Sequence, residues 1–217
     1  MKTKNFSVLL IIFSMAFLIL AGTIGYSIVQ KKKESQKDPF DYTNQQALGD
    51  KDAPVQMVEF GDFKCPACRT WDATVFPQLK KDYIDTGKVQ LHFINFAFIG
   101  KDSDLGAQAG EAIYKQNKAA FWKFYDEVYQ SQKSTDEEWL TEAFLIDLVK
   151  TKLPEINLEQ FKKDLNSKEM KELVQKDKDI ALKLSVQGAP TVYVNGKPSN
   201  PDYDSLKKAI EQAAEKK

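Results

Sequence analysis

Val55-Gln-Met-Val-Glu-Phe-Gly-Asp-Phe-Lys-Cys-Pro-Ala-Cys-Arg-Thr-Trp71 contains both cysteines of the chain, Cys65 and Cys68, separated by Pro66 and Ala67. The apolar run Val55 to Phe60 reads as a buried strand. A helix-compatible run leads away from the cysteines as far as about Asp85, with Trp71, Val75, Phe76 and Leu79 on one face. Pro77 inside that pattern predicts a kink, and Gly87 a stop. A Cys-x-x-Cys pair at a strand-to-helix junction puts its first sulfur at the helix N-terminus. Unpaired N–H groups and the helix dipole there stabilise a thiolate.

Two cysteines this close cannot staple distant parts of a fold, because a structural disulfide acts by closing a long loop. A structural zinc site wants four ligands, and His92 is the only histidine. Redox chemistry is the economical reading. The 217 residues allow one sizeable domain or two small ones. A formal net charge of +0 gives no electrostatic case for nucleic acid. Lysine supplies nearly all the positive charge, and Arg69 is the sole arginine.

Residues 6–29 form an apolar stretch without a charge, flanked by Lys2 and Lys4 on one side and Lys31, Lys32 and Lys33 on the other. At about 1.5 Å per residue it is long enough to span a hydrocarbon core of roughly 30 Å. We expect a single-pass membrane anchor over residues 1–30. Its rival is a cleaved signal, for which Thr23-Ile-Gly25 is a weak site. Leu20-Ala-Gly-Thr23 has threonine where a lipidated cysteine would be needed. The flanking charges nearly balance, so orientation rests on compartment: disulfide chemistry persists outside the cytosol, and the globular part is expected on the extracytoplasmic side. Residues 31–44 read as a polar tether.

The globular region is expected from residue 45. Val89 to Phe96 reads as a second strand, in which Val89, Leu91 and Phe93 alternate with Gln90 and His92. Residues 102–185 carry helical periodicity throughout, punctuated by Ser134-Thr-Asp-Glu137 and Pro154. Gly188-Ala-Pro-Thr-Val-Tyr-Val-Asn-Gly196 then reads as a turn, a strand and a tight hairpin turn at Asn195-Gly196. Pro198 suits a short edge strand. A terminal amphipathic helix runs from Asp202 to about Ala214, with Leu206 and Ile210 inward.

Strand, helix, strand, helices, strand, hairpin, helix is the order of an α/β thioredoxin fold. A helical domain (102–185) is inserted between its βαβ half (45–101) and its ββα half (186–217). On Glu59-Phe-Gly-Asp-Phe-Lys-Cys-Pro-Ala-Cys68, the helical block and Gly188 to Gly196, the chain resembles the DsbA-like branch of the thioredoxin superfamily. It looks most like the membrane-anchored BdbD-type members of Gram-positive bacteria. The resemblance covers roughly residues 45–215. It implies an oxidase that donates a Cys65–Cys68 disulfide to exported protein thiols and is reoxidised by a membrane quinone-linked partner. No organic cofactor is implied. Cys65 is then the nucleophile and Cys68 the more buried resolving thiol.

By the same resemblance, the Ala189–Pro190 bond is cis and Ala189 offers its backbone to an extended substrate; the alternative is a plain proline at a strand start. Glu59 lies beneath the disulfide and assists proton transfer; otherwise it is a strand-end carboxylate reaching solvent. Ala67 stands where many relatives have a thiolate-stabilising histidine, which puts oxidising strength in question. Arg69 either compensates for that or is a solvated side chain. His92 reads as structural rather than as a base. Asp177 interrupts an apolar helix face. It is either a solvent-facing edge residue or, since some relatives bind calcium, a cation ligand with Glu111 as companion. The rivals to an oxidase are a reductase or isomerase of the same fold, a chaperone-like module with a vestigial dithiol, and a copper carrier. An isomerase would need a dimerisation module, and none is visible before residue 45.

Overall fold

The computed structural model describes residues 38–215 together with Thr23 and Tyr26. Apart from Thr23 and Tyr26, the expected anchor lies outside the described residues, as does the first half of the expected tether. Among the described residues no helix is long and apolar enough to cross a membrane. The chain divides into a unit of residues 1–39 and one of residues 40–217.

Five strands form one sheet in the order β1-β3-β2-β4-β5. They are β1 (Gln46–Leu48), β2 (Val55–Gly61), β3 (Val89–Asn95), β4 (Thr191–Val194) and β5 (Lys197–Ser199). β2 and β3 pair in parallel, with Glu59 beside Phe93; β4 runs antiparallel to β2, with Glu59 beside Val192. Asn195 and Gly196 adopt positive φ (45° and 74°) and close the β4–β5 hairpin. Between Cys65 and β3 lie α1 (Pro66–Thr74), which contains Cys68, α2 (Phe76–Leu79) and a π-helical turn over Lys80–Ile84. The break at Val75 sits just ahead of Pro77, where the ring forbids a continuous hydrogen-bond ladder.

The insertion consists of α3 (Lys101–Gln116), α4 (Lys118–Gln130), α5 (Glu142–Lys152), α6 (Leu158–Leu165) and α7 (Lys168–Lys183), and α8 (Tyr203–Ala214) closes the chain. Polar side chains cap five of these helices. Asn117, Thr141, Asn157, Ser167 and Asp202 each accept from N–H groups of the first turn of α4 to α8 respectively.

Alternation along the strands sorts two cores. Val55, Met57, Leu91, Phe93 and Val192 face α1, α8 and the insertion. Val58, Phe60, Ile94 and Tyr193 face Ala181 of α7, with Phe40 and Tyr42 packed against them. Most of the insertion's buried side chains join the core of the sheet, while Ala107 and Val174 form a small separate cluster with Ala97. Phe121, Phe124, Tyr125 and Tyr129 of α4 share one buried cluster with Phe63 and Phe93. Packed structure also begins earlier than residue 45. The rings of Phe40 and Tyr42 are apolar anchors in a segment whose charge reads as tether, and Tyr42 stacks on His92 at 4.2 Å. Strand β1 adds an edge to β3 that the sequence pattern does not show, because three residues are too few for a periodicity.

Gly61 ends β2 at a point of close approach. A Cβ there would lie 2.4 Å from Phe93 Cε2 and 3.1 Å from Tyr129 Oη. Gly61→Ala is expected to lower stability by about 1–3 kcal/mol through overpacking, read as a lower urea midpoint with unchanged m-value.

Candidate active site

Cys65 is the N-cap of α1, in extended conformation (φ −75°, ψ 118°), with Pro66 as first helical residue. No side-chain oxygen caps this helix. Its first N–H groups therefore remain available to the sulfur. Both cysteines are free thiols, Cys65 6 % exposed and Cys68 fully buried. The Cys65 pKa falls from 9.0 to about 7. The hydrogen bond from the Cys68 thiol is the largest cause; burial opposes it, and the N–H groups of Cys68 and Ala67 add to it. Cys68 moves the other way. Burial, its donated hydrogen bond and the nearby Glu59 charge hold its thiol well above the usual range. Arg69 is exposed and does not figure among the groups that lower the Cys65 pKa.

The Ala189–Pro190 bond is cis, and Cys65 Sγ–H donates to the Ala189 carbonyl at 3.2 Å. Residues 124 positions apart thus meet because β4 lies directly beside β2. Glu59 is buried on the strand face that carries α1 and α4. Tyr125 Oη–H donates to its Oε2 at 2.9 Å, and Oε1 has no partner among the described residues. Burial raises its pKa from 4.5 to about 8; the Tyr125 hydrogen bond opposes this, and the charges of Asp72 and Cys65 add to it. Glu59 is therefore an acid that keeps its proton at neutral pH.

The thioredoxin family model matches residues 42–212. The chain belongs to the thioredoxin family. It is 63% identical, over the whole of both chains, to a probable disulfide bond formation protein D of Bacillus cereus. It is 41% identical over 170 residues to disulfide bond formation protein D of Bacillus subtilis, covering 77% of this chain and 76% of that one. The crystal structure of oxidised BdbD from Bacillus subtilis superposes with a TM-score of 0.76 at 39% identity, over 81% of this chain and 95% of that one. Within the family, this dithiol belongs to a thiol-disulfide oxidoreductase of the disulfide-forming type.

Other sequence candidates fall elsewhere. His92 lies on the opposite sheet face, held by Gln56 Oε1 at 2.7 Å, and burial lowers its pKa to about 4. It is a neutral structural imidazole and supplies no third ligand to the cysteines. Glu111 and Asp177 do come together. Asn95 Nδ2 donates to both, at 2.8 and 2.9 Å, and both are buried. Burial first and the Asp177 charge second raise Glu111 to about 8, and burial raises Asp177 to about 6. Among the described residues no group of three or more His, Cys, Asp or Glu is placed to hold a metal ion.

Three residues at the site escape a sequence reading. Asp62 accepts from the N–H groups of Lys64, Phe98 and Ile99 at 2.8, 2.9 and 3.1 Å, tying the cysteine loop to the segment after β3. Its bond to Lys64 is an Asx turn, a local signal that an Asp at a strand end carries. Gln132 Nε2 donates to the carbonyls of Phe63 and Cys65 at 2.9 and 3.1 Å, and Tyr125 holds Glu59. Neither of these has a sequence signature, since both partners are long-range.

Glu59 makes stability depend on pH with a definite sign. Between about pH 4.5 and pH 8 the folded carboxyl holds a proton that the unfolded chain has released, so stability falls as pH rises across that window. Glu59→Gln is expected to flatten this fall in urea unfolding. A slope identical to the parent's would remove Glu59 as a source.

Proposed function

We propose that the chain introduces disulfides into exported proteins from the extracytoplasmic side of a cell membrane, held there by residues 6–29. The supporting observation is the opposed pair of thiols: Cys65 lowered to about 7, Cys68 held well above its usual range. In the oxidised state a substrate thiolate attacks Cys65 Sγ. The Cys65–Cys68 bond breaks, and Cys68 leaves with the electron pair and takes up a proton. Glu59, protonated at neutral pH and electrostatically linked to Cys68, is the acid assigned to that proton. A second substrate thiolate then attacks the substrate sulfur of the mixed disulfide. Cys65 departs as a thiolate, and the enzyme keeps two electrons. A low leaving-group pKa favours this direction, because it stabilises the reduced enzyme.

Ala189 and Pro190 serve substrate binding in this reading. The carbonyl that now accepts from Cys65 lies where an extended peptide would pair beside the sulfur. Pro66 pre-sets the first turn, and Ala67 contributes its N–H in place of a side chain. Reoxidation falls to a membrane quinone-linked protein.

Equilibration of the full-length protein with glutathione buffers tests the direction. A potential well above the roughly −270 mV of a reducing thioredoxin, with oxidation of a reduced unfolded protein that is lost in Cys65→Ala, is expected. A potential at or below that value would make the chain a reductase.

We also propose a structural calcium ion at Glu111 and Asp177. Two buried acids drawn together fit a hard cation, and Asn95 Oδ1 and Gln46 Oε1 beside them are buried without partners among the described residues. A small cavity of about 120 Å³ opens on these carboxylates from Asp41, Asn44 and Gln45. The ion would join α3, α7 and the end of β3, with no part in the electron transfer. Calcium is expected to raise the melting temperature of the parent and not of Glu111→Gln. Absence of calorimetric heat in the parent would overturn the site.

A further inference from the structure

Lys64 precedes the nucleophile directly, yet its side chain is only 3 % exposed. A lysine in that position would ordinarily extend into solvent along the protein surface. Instead Nζ reaches Asp102 Oδ1 at 2.8 Å and donates to the Glu137 carbonyl at 2.9 Å. The second oxygen of Asp102 accepts from the N–H groups of Trp139 and Leu140 at 3.0 and 3.3 Å. One buried ion pair thereby binds the cysteine loop to two separate parts of the insertion, the first turn of α3 and the 134–140 segment. Burial alone would raise the Asp102 carboxyl, but Lys64 and these N–H groups outweigh it and hold the acid below its usual range.

The backbone around the pair is shaped to it. A Cβ on Gly100 would stand 2.9 Å from Asp102 Oδ1 and 3.3 Å from Lys64 Nζ. The φ of Gly100 is −164°, extended backbone open to any residue, so a side chain there would act by displacing the ends of Asp102 and Lys64. On the other side of Lys64, Cys65 N–H donates to the Asp62 carbonyl at 2.9 Å, and Gln132 grips the carbonyls of Phe63 and Cys65. The loop from Asp62 to Cys65 is thus held at each residue, with the Asp62 carboxylate tying it to the segment after β3 and the Lys64 ammonium tying it to the insertion.

We propose that Lys64 and Asp102 are positioning residues for Cys65. The pair fixes where the loop delivers the sulfur to the N–H groups of Ala67 and Cys68 and to the Cys68 thiol, the contacts that lower its pKa. The pair acts through the backbone and does not touch substrate. A buried ion pair is a poor source of stability compared with apolar side chains of the same volume, but it has directional geometry, and removing one partner strands the other charge. The insertion therefore does more than cover the dithiol: it sets the acidity of its nucleophile. The inference rests on the assignment of Cys65 as nucleophile.

The test uses the full-length reduced protein in detergent, with thiolate absorbance read against pH, the glutathione equilibrium and thermal melting. Lys64→Met, Asp102→Asn, the double variant Lys64→Met/Asp102→Asn, Lys64→Arg and Gly100→Ala are compared. Positioning predicts a Cys65 pKa raised by about one unit in the double variant, hence roughly tenfold less thiolate at a pH below it. It also predicts a more reducing potential, with partial restoration in Lys64→Arg and a smaller rise in Gly100→Ala, which keeps both charges. The double variant decides the matter where a single variant strands a charge and fails to fold. If it titrates and equilibrates like the parent while melting lower, the pair is structural only and the inference is overturned. Loss of exchange activity in the parent itself would instead strike at the nucleophile assignment.

Discussion

The backbone N–H groups that open α1 meet no side-chain oxygen, and the atom standing in the capping position is the sulfur of Cys65. Serine, threonine, asparagine or aspartate fills that role in α4 to α8, where the purpose is to finish a helix. At α1 the same orphan donors are left to favour a negative charge on sulfur, joined by the Cys68 thiol. Much of the surrounding structure holds this arrangement in place. Asp62, Lys64 and Gln132 fix the loop before the sulfur, and the cis Ala189–Pro190 segment covers it from β4.

Beneath the sulfur, burial works in the opposite sense. Cys68, Glu59 and Tyr125 are all displaced toward their neutral forms by the same dry, aromatic surroundings. One thiol is made acidic and its partner basic within a single helical turn. Glu59, its pKa raised to about 8, lies close enough for its charge to act on the thiol whose ionisation burial disfavours. The insertion contributes to both effects, since Tyr125 of α4 binds Glu59 and Asp102 of α3 binds Lys64. Its helices share the core of the sheet, so it cannot be regarded as a separate lid.

Several parts of this were legible from residue order. The dithiol at a strand-to-helix junction, the hairpin at Asn195-Gly196 and the break ahead of Pro77 follow from local rules that need no partner. Glu59 was identifiable as an acid in an apolar strand. The partners of these residues were not. Gln132 and Lys64 look like ordinary surface residues in the sequence, and Phe40 and Tyr42 sit among charges that read as a tether. His92 read as structural from the alternation of its strand, and the register with β2 supplies the face it occupies.

The sequence by itself determined the kind of chemistry, because two cysteines two residues apart at a helix start form a redox pair and a single histidine leaves no zinc site. It also determined the fold class, since the order of strands, helices and turns is written in periodicity and in Gly and Pro positions. Only the tertiary structure decided the acidity of Cys65, the pairing of Lys64 with Asp102 and the meeting of Glu111 with Asp177. Those depend on which groups are brought together from distant positions and on how much water is excluded around them, and neither is a local property of a chain.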